Sequence, residues 1–249
     1  MRIFNGQLSA FSALWELQAI PEFWTSFVTI PLVKNYAPRG QGQPVLILPG
    51  FMQIDISTFK LQQFLKSIGY TIYVSELGLN RGYSDGLNLM LGRRLKEVYH
   101  QAQTPINIIG QSLGGTYARE MARLHPELVN QVISLGSPFS GNLNDTNVTW
   151  LYNLMSAKRV EKLPKALIKR MKMKMPVPAT SIYSPTDGVV ANRCSQELKS
   201  PYTQNVMVLG SHCGMGFNPL VLWVVADRLA QSPNDWQKFS WSSLTNILI

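Results

Sequence analysis

The chain has 249 residues, 45% of them hydrophobic and 15% charged, enough apolar material to bury a full core in one α/β domain. Its two cysteines, Cys194 and Cys213, could pair with each other, but they exclude a disulfide framework, and no metal-ligand spacing is present. The net charge of +9 invites a nucleic-acid reading, yet residues 151–175 hold eight Lys/Arg against one acid, a net +7, so the basicity belongs to one segment and not to the fold.

Residues 1–40 form an apolar N-terminal extension. Leu8, Phe11, Leu14, Trp15, Ala19 and Ile20 recur at helical spacing up to Pro21. A second apolar run spans Phe23 to Val33 and ends in the turn-rich stretch from Lys34 to Gly40. The expectation is a helix on the outside of the main sheet, with a membrane-facing role as the alternative. Glu16 interrupts the first run and no small-residue cleavage site follows, so no secretory signal is read here. Two thiols suit a reducing compartment. A cytoplasmic protein is expected, or one held peripherally at a membrane. The longest uncharged stretch, Pro201 to Ala226, is broken by Gly, His and Asn-Pro and does not read as a membrane span.

Pro44 to Leu48 is a continuous apolar strand, followed by Pro49-Gly50-Phe51-Met52. Ser57 to Ile68 reads as a helix, with Leu61, Phe64, Leu65 and Ile68 on one face and Gly69 as its stop. Tyr70 to Val74 is the next strand, Gly78 to Ser84 a loop, and Asp85 to Gln101 a helix. Pro105 to Ile109 is a β-branched strand, and Thr116 to Leu124 a helix ended by His125-Pro126. Between those two stands Gly110-Gln111-Ser112-Leu113-Gly114. Strand, GxSxG, helix is the context of a nucleophile elbow. The turn is so tight that a Cβ at Gly110 or Gly114 would clash, and it lifts the Ser112 hydroxyl clear of the sheet.

Val129 to Leu135 is a further strand. Residues 142–177 then break the alternation and form an insert. Ala179 to Tyr183 resumes the strands and ends in Ser184-Pro185-Thr186-Asp187-Gly188. Gln204 to Leu209 is the last strand, ending in Gly210-Ser211-His212. Pro219 to Ala230 is the closing helix. The tail carries Trp236, Phe239, Trp241 and Leu244 and is expected to pack back. Strands alternating with helices, apolar nearly throughout, predict a mostly parallel sheet covered on both faces. In such sheets reactive groups collect beyond the carboxyl ends of the strands.

A serine needs a base within reach, and the base needs a third group to hold its tautomer. Of three histidines, His100 reads as a solvated helix end, and His125 suits the end of the elbow helix, where a cation meets the dipole. Only His212 follows a strand in a glycine-rich loop. Among the acids between Ser112 and His212, Asp145 lies in the insert, Glu120 and Glu127 in and after the elbow helix. Glu161 and Glu197 read as surface positions. Asp187, at a strand end, is the expected orienting acid. For the oxyanion, the N–H of Leu113 is one donor, and the second comes from Phe51, or from Met52 if the loop is shifted.

These residues, with Leu135-Gly136-Ser137-Pro138, resemble the α/β hydrolases, in particular bacterial esterases and lipases; the resemblance runs from Pro44 to Ala230. It implies an α/β-hydrolase fold, the order Ser112, Asp187, His212, no cofactor and no metal. It also implies a cap where residues 142–177 fall, with 1–249 as one domain. Pro49 stands where many members have histidine, which bears on the second oxyanion donor. The implied activity is cleavage of carboxylic esters with an apolar acyl group; a thioesterase or acyltransferase would use the same triad. A non-catalytic lipid-binding or scaffold protein with this fold is the alternative from another class. Within the insert, Pro164 opens a helix with Leu167, Ile168, Met171 and Met175 on one face and Lys165, Lys169, Arg170, Lys172 and Lys174 elsewhere. Met52, Met171 and Met175 are the expected acyl-chain contacts. The basic run 158–174 is expected to meet an anionic membrane surface or acyl-CoA. No aromatic stacking pattern accompanies it, so no nucleic-acid partner is expected.

Overall fold

The structure, a computed structural model, describes residues 10–84, 86–140, 169–232 and 235–242. Outside them fall Leu8, Asp85, Asp145, Glu161, Leu244 and residues 142–168 of the expected cap, with the Pro164 helix start.

Six strands form one sheet: β1 (Pro44–Leu48), β2 (Thr71–Val74), β3 (Ile106–Gln111), β4 (Val129–Leu135), β5 (Ala179–Tyr183) and β6 (Thr203–Met207). Their order is β2-β1-β3-β4-β5-β6, and every neighbouring pair is parallel. The chain first winds outward from β1 to β2, then crosses to β3 on the other side of β1. The gap between the ends of β1 and β3 is therefore the topological switch point, where crevices form in such sheets.

Burial on both faces explains the unbroken apolar strands. Val45 and Ile47 of β1 join a core with α2 (Phe59–Ser67) and α5 (Pro219–Leu229). Leu46 and Leu48 point the other way, into a core with α3 (Leu87–Ala102) and α4 (Leu113–Leu124). Helix α5 is apolar nearly all round and buried, and Asn218 caps it by accepting the N–H groups of Leu220 and Val221.

The N-terminal extension differs from the sequence expectation. A 3-10 stretch (Ala10–Gln18) leads into α1 (Ala19–Tyr36), which runs through both Pro21 and Pro31. Pro21 is the third residue of α1, inside the first turn, where its missing N–H has no intrahelical partner to lose. Helix α4 begins at Leu113, three residues before the expected start. Gly114 and Gly115 carry no periodic signal and have poor helix propensity, so a pattern search starts the helix too late.

Trp236 and Phe239 are buried, and Gln204 and Phe239 exchange hydrogen bonds of 2.6 and 2.8 Å that tie the tail to β6. Trp241 is exposed. Glu197 is not a surface residue: it is buried in an ion pair with Arg119, whose guanidinium stacks 3.6 Å above the Phe139 ring. Cys194 is buried, Cys213 is exposed, and no disulfide joins them. No helix of the described residues is long and apolar enough to cross a membrane.

Candidate active site

Ser112 stands between β3 and α4 with φ +51° and ψ −125°, a sparsely populated conformation for a residue with a Cβ. Its N–H donates to the Leu135 carbonyl at 2.7 Å, which ties the turn to the end of β4. Two glycines make the turn possible by close approach. A Cβ at Gly110 would collide with the backbone of Gly114 and Gly115, and one at Gly114 with the carbonyls that end β1. The strain is held by neighbours on both sides, which aim the serine outward from the sheet's carboxyl edge.

Asp187 lies four residues beyond β5 and is buried. Its Oδ1 accepts the N–H groups of Val189 and Val190 at 2.8 and 2.7 Å. Its Oδ2 meets His212 Nδ1 at 2.7 Å. The carboxylate is thus locked by its own loop and presents one oxygen to the imidazole, leaving Nε2 for other chemistry. Burial pushes His212 down, but the Asp187 charge, the hydrogen bond to it and the Glu16 charge outweigh burial and raise the imidazole above its ordinary value. Gly136, with φ +54°, floors this pair: a Cβ there would stand 3.0 Å from Asp187 Oδ2 and 3.1 Å from His212 Nδ1. Gly136 directly follows Leu135, the acceptor for Ser112. The three residues therefore surround one strand end.

The loop after β1 closes the other side. A Cβ at Gly50 would stand 3.2 Å from Ser112 Cβ, so the Gly50 backbone abuts the elbow. The Met52 N–H donates to the Asn80 carbonyl at 2.7 Å, so the shifted-loop alternative for the second oxyanion donor does not hold. Phe51 is half-buried and packs, like Leu113, on Val190, Ala191 and Cys194. Leu113 opens α4, and first-turn N–H groups have no intrahelical acceptor. The side chains of both residues expected as oxyanion donors thus pack on one small cluster.

His100 is exposed, and His125 Nδ1 lies 3.8 Å from Glu127 at the far end of α4. Neither approaches Asp187. Met171 and Met175 are buried, Met175 within the core beneath α3 and α4. The described end of the insert is held down by ion pairing. Arg170 meets Glu120 at 2.6 Å, and Arg123 donates to the Met173 carbonyl at 2.6 Å. Arg170 is thus engaged by a carboxylate of the same chain.

Two features of the site are absent from the sequence reading. The first is a pair of carboxylates from the N-terminal extension. Glu16 accepts three backbone N–H groups, from Gly188, His212 and Cys213, each at 2.9 Å. Burial raises Glu16, but these three donors and the charge of His212 together hold its carboxyl below the usual range. Glu22 accepts both the N–H and the hydroxyl of Ser211, and that hydroxyl in turn accepts the Gly214 N–H at 2.9 Å. Together they clamp the loops that carry Asp187 and His212. The only sequence signal was two acids in an otherwise apolar run.

The second is Asn80, which is buried. Its Nδ2 donates to the Pro49 carbonyl at 3.0 Å, and its Oδ1 accepts the Tyr117 hydroxyl at 3.2 Å. It braces the loop after β1 against α4. An asparagine in a turn-rich loop gives no sequence hint of this.

A half-buried apolar collar completes the edge. Phe51, Tyr83, Leu113 and Val189, from the loops after β1, β2, β3 and β5, pack on the small cluster of Val190, Ala191 and Cys194. Among the described residues no group of three or more His, Cys, Asp and Glu could hold a metal ion.

Comparison with known proteins agrees with this architecture. The sequence model described as alpha/beta hydrolase fold matches residues 100–163, which include the elbow. No curated protein matches the sequence at a significant level. Lipase B of Aspergillus fumigatus superposes with a TM-score of 0.56 at 16% identity, over 79% of this chain and 54% of the fungal enzyme. The chain thus spans about half the length of that lipase. The lipase BlEst2 of Bacillus licheniformis gives a TM-score of 0.54 at 18% identity, over 78% of this chain and 94% of its own. A monoacylglycerol lipase of Paleococcus ferrophilus gives 0.53 at 12% identity, over 76% and 96%. At such identities the likeness is one of fold. Parallel strand order, the elbow after β3 and these likenesses agree that the chain has the alpha/beta hydrolase fold.

Proposed function

We propose that this protein is a serine hydrolase that cleaves carboxylic esters with an apolar acyl group. The observation that carries the reading is the Asp187–His212 pair at 2.7 Å, set around the same strand end as the strained Ser112. Ser112 Oγ attacks the ester carbonyl carbon, and His212 Nε2 takes the hydroxyl proton. The carbonyl oxygen becomes an oxyanion, which the N–H groups of Leu113 and Phe51 receive. Asp187 stabilises the imidazolium and holds the tautomer without itself gaining the proton. The tetrahedral adduct collapses, the C–O bond breaks, and the alcohol leaves with the proton from His212. Water then repeats the cycle: its proton goes to His212 and its oxygen to the acyl carbon, the bond from that carbon to Ser112 Oγ breaks, and Ser112 Oγ takes the proton back from His212 as the acid leaves.

The collar of Phe51, Tyr83, Leu113 and Val189 supports an apolar acyl group, since desolvating it against these side chains is favourable. The test is a panel of esters and thioesters of graded acyl length, run on wild type and Ser112→Ala, together with labelling by a fluorophosphonate. Wild type should label at Ser112, and the variant should lose turnover by several orders of magnitude while keeping its fold. A variant that turns over esters near the wild-type rate overturns the assignment. The ratio of ester to thioester rates, and competition of alcohols with water for the acyl group, distinguish hydrolysis of esters from thioester cleavage or transfer.

A further inference from the structure

The outer side of α1 is apolar and uncovered. Ile20, Trp24, Val28, Leu32 and Tyr36 recur every four residues in one row, each between 56% and 68% exposed. Such a spacing places them on one helix face. None carries a charge. The apolar area continues through Phe23 and Phe27, whose rings meet edge to face at 5.4 Å, onto Ile56 and Phe59 beside α2. A groove of about 600 Å³ runs between the two helices, lined by Phe23, Phe27, Ile30, Phe59 and Phe217 and closed on one side by Lys60. A contiguous apolar surface of this kind marks an interaction site.

The acids of the N-terminal extension, Glu16 in the 3-10 stretch and Glu22 in α1, do not charge this face. Glu16 and Glu22 are turned inward onto the loops of Gly188 and residues 211–213. What remains at the border is basic. Lys34 lies in the last turn of α1, and the Lys60 ammonium sits 3.5 Å from the Phe27 ring centre. Of the net charge of +9, +7 lies in residues 151–175, so the charges that bear on this face are Lys34 and Lys60.

We propose that this face of α1 docks the protein on an anionic lipid bilayer. Trp15, Trp24 and Tyr36 suit the boundary between headgroups and acyl chains, where rings with one polar edge settle. Lys34 and Lys60 at its border match an anionic headgroup layer. The docked helix holds the His212 loop through Glu22 and Ser211, and the 3-10 stretch that leads into it holds Gly188 and His212 through Glu16, so docking brings the carboxyl edge of the sheet close to the lipid. The inference rests on the exposed face and its charge, not on the ester chemistry.

The test is co-sedimentation of the full chain with vesicles of phosphatidylcholine alone and of phosphatidylcholine with phosphatidylglycerol, at low and high salt. Wild type and a Trp24→Ser/Val28→Ser/Leu32→Ser variant are compared. Wild type should bind the anionic vesicles with a blue shift in tryptophan emission, and the variant should bind about tenfold or more weakly. Its melting temperature and its hydrolysis of short soluble esters should be unchanged. Where the triple variant loses its melting transition, Trp24→Ser alone serves. Ser112→Ala should bind like wild type, which separates docking from catalysis. Equal binding by wild type and variant, or no binding by wild type, overturns the proposal. So does loss of binding only when Lys172 and Lys174 are changed to Gln, which would place the contact in the basic insert. A wild type that dimerises through this face and ignores vesicles overturns it in favour of a protein partner.

Discussion

The Glu16 carboxylate accepts the backbone N–H of His212 at 2.9 Å, although 196 residues separate them. The same carboxylate holds Gly188, next to Asp187, and Cys213, next to His212. One side chain from the N-terminal extension thus fastens the acid loop to the base loop. It also places a negative charge near the imidazole. Positioning and electrostatics therefore come from one residue.

Replacing Glu16 by Gln keeps the shape and removes the charge. His212 is raised by Asp187 and Glu16 against the opposing effect of burial, and only neutral imidazole can accept the serine proton. The rising limb of kcat/KM against pH in wild type should accordingly lie above the ordinary histidine value. In Glu16→Gln it should move to lower pH, with a lower plateau because Gln offers a weaker acceptor to three amides. Rates of a soluble ester across the pH range report both. An unmoved limb would mean that Glu16 acts on the backbone alone.

Glu16 also sets an acid limit on the clamp. Its folded value lies below that of an ordinary glutamate, so its contribution to stability is complete above the ordinary value. It is lost as pH falls through the lower folded value. The N-terminal extension should therefore loosen from the 188 and 211–213 loops before the sheet unfolds. Hydrogen exchange at Gly188, His212 and Cys213, followed on acidification, measures this, and Glu16→Gln should show the loosened state at neutral pH.

The buried Arg119–Glu197 pair gives a stability prediction. Removing one partner leaves an uncompensated charge inside, so Glu197→Gln or Arg119→Met should cost about 3–5 kcal/mol in urea unfolding. The double change Arg119→Met/Glu197→Leu should recover much of that loss, because neither charge then has to be desolvated. A double variant no more stable than the singles would show that the stacking of Arg119 on Phe139 carries the site.

Arg170 tests how the basic insert is held. Its partner Glu120 is buried while Arg170 itself is half-exposed, which screens the pair. Arg170→Gln should cost about 1–2 kcal/mol of stability, less than a fully buried pair. Lys172→Gln, for which no acidic partner is needed to satisfy a buried group, should cost close to nothing. Thermal unfolding of the two variants gives the comparison.

Much of this protein was legible in the sequence because the information is local. Local residue patterns placed all six strands within about two residues, most plainly β1 and β3, which are buried along their whole length. The elbow was legible for the same reason: a turn that excludes a Cβ must be written with glycine at Gly110 and Gly114. His212 and Asp187 were found by their place after strands, and the sheet's parallel order brings such places to one edge.

What the sequence could not decide depends on groups that meet only after folding. Glu16 and Glu22 read as interruptions of an apolar run; they become clamps because the 3-10 stretch and the start of α1 meet the strand-end loops. Glu197 reads as surface, and burial beside Arg119 is a property of packing between α4 and the loop before β6. Asn80 carries no local sign of its contacts to Pro49 and Tyr117. The apolar outer face of α1 is likewise a tertiary fact. Sequence shows that the helix is apolar on nearly every side, but only the structure shows which side the core covers and which it leaves to another surface. Periodicity records what a segment can bury; which carboxylate meets which amide is set by distances between segments far apart in the chain.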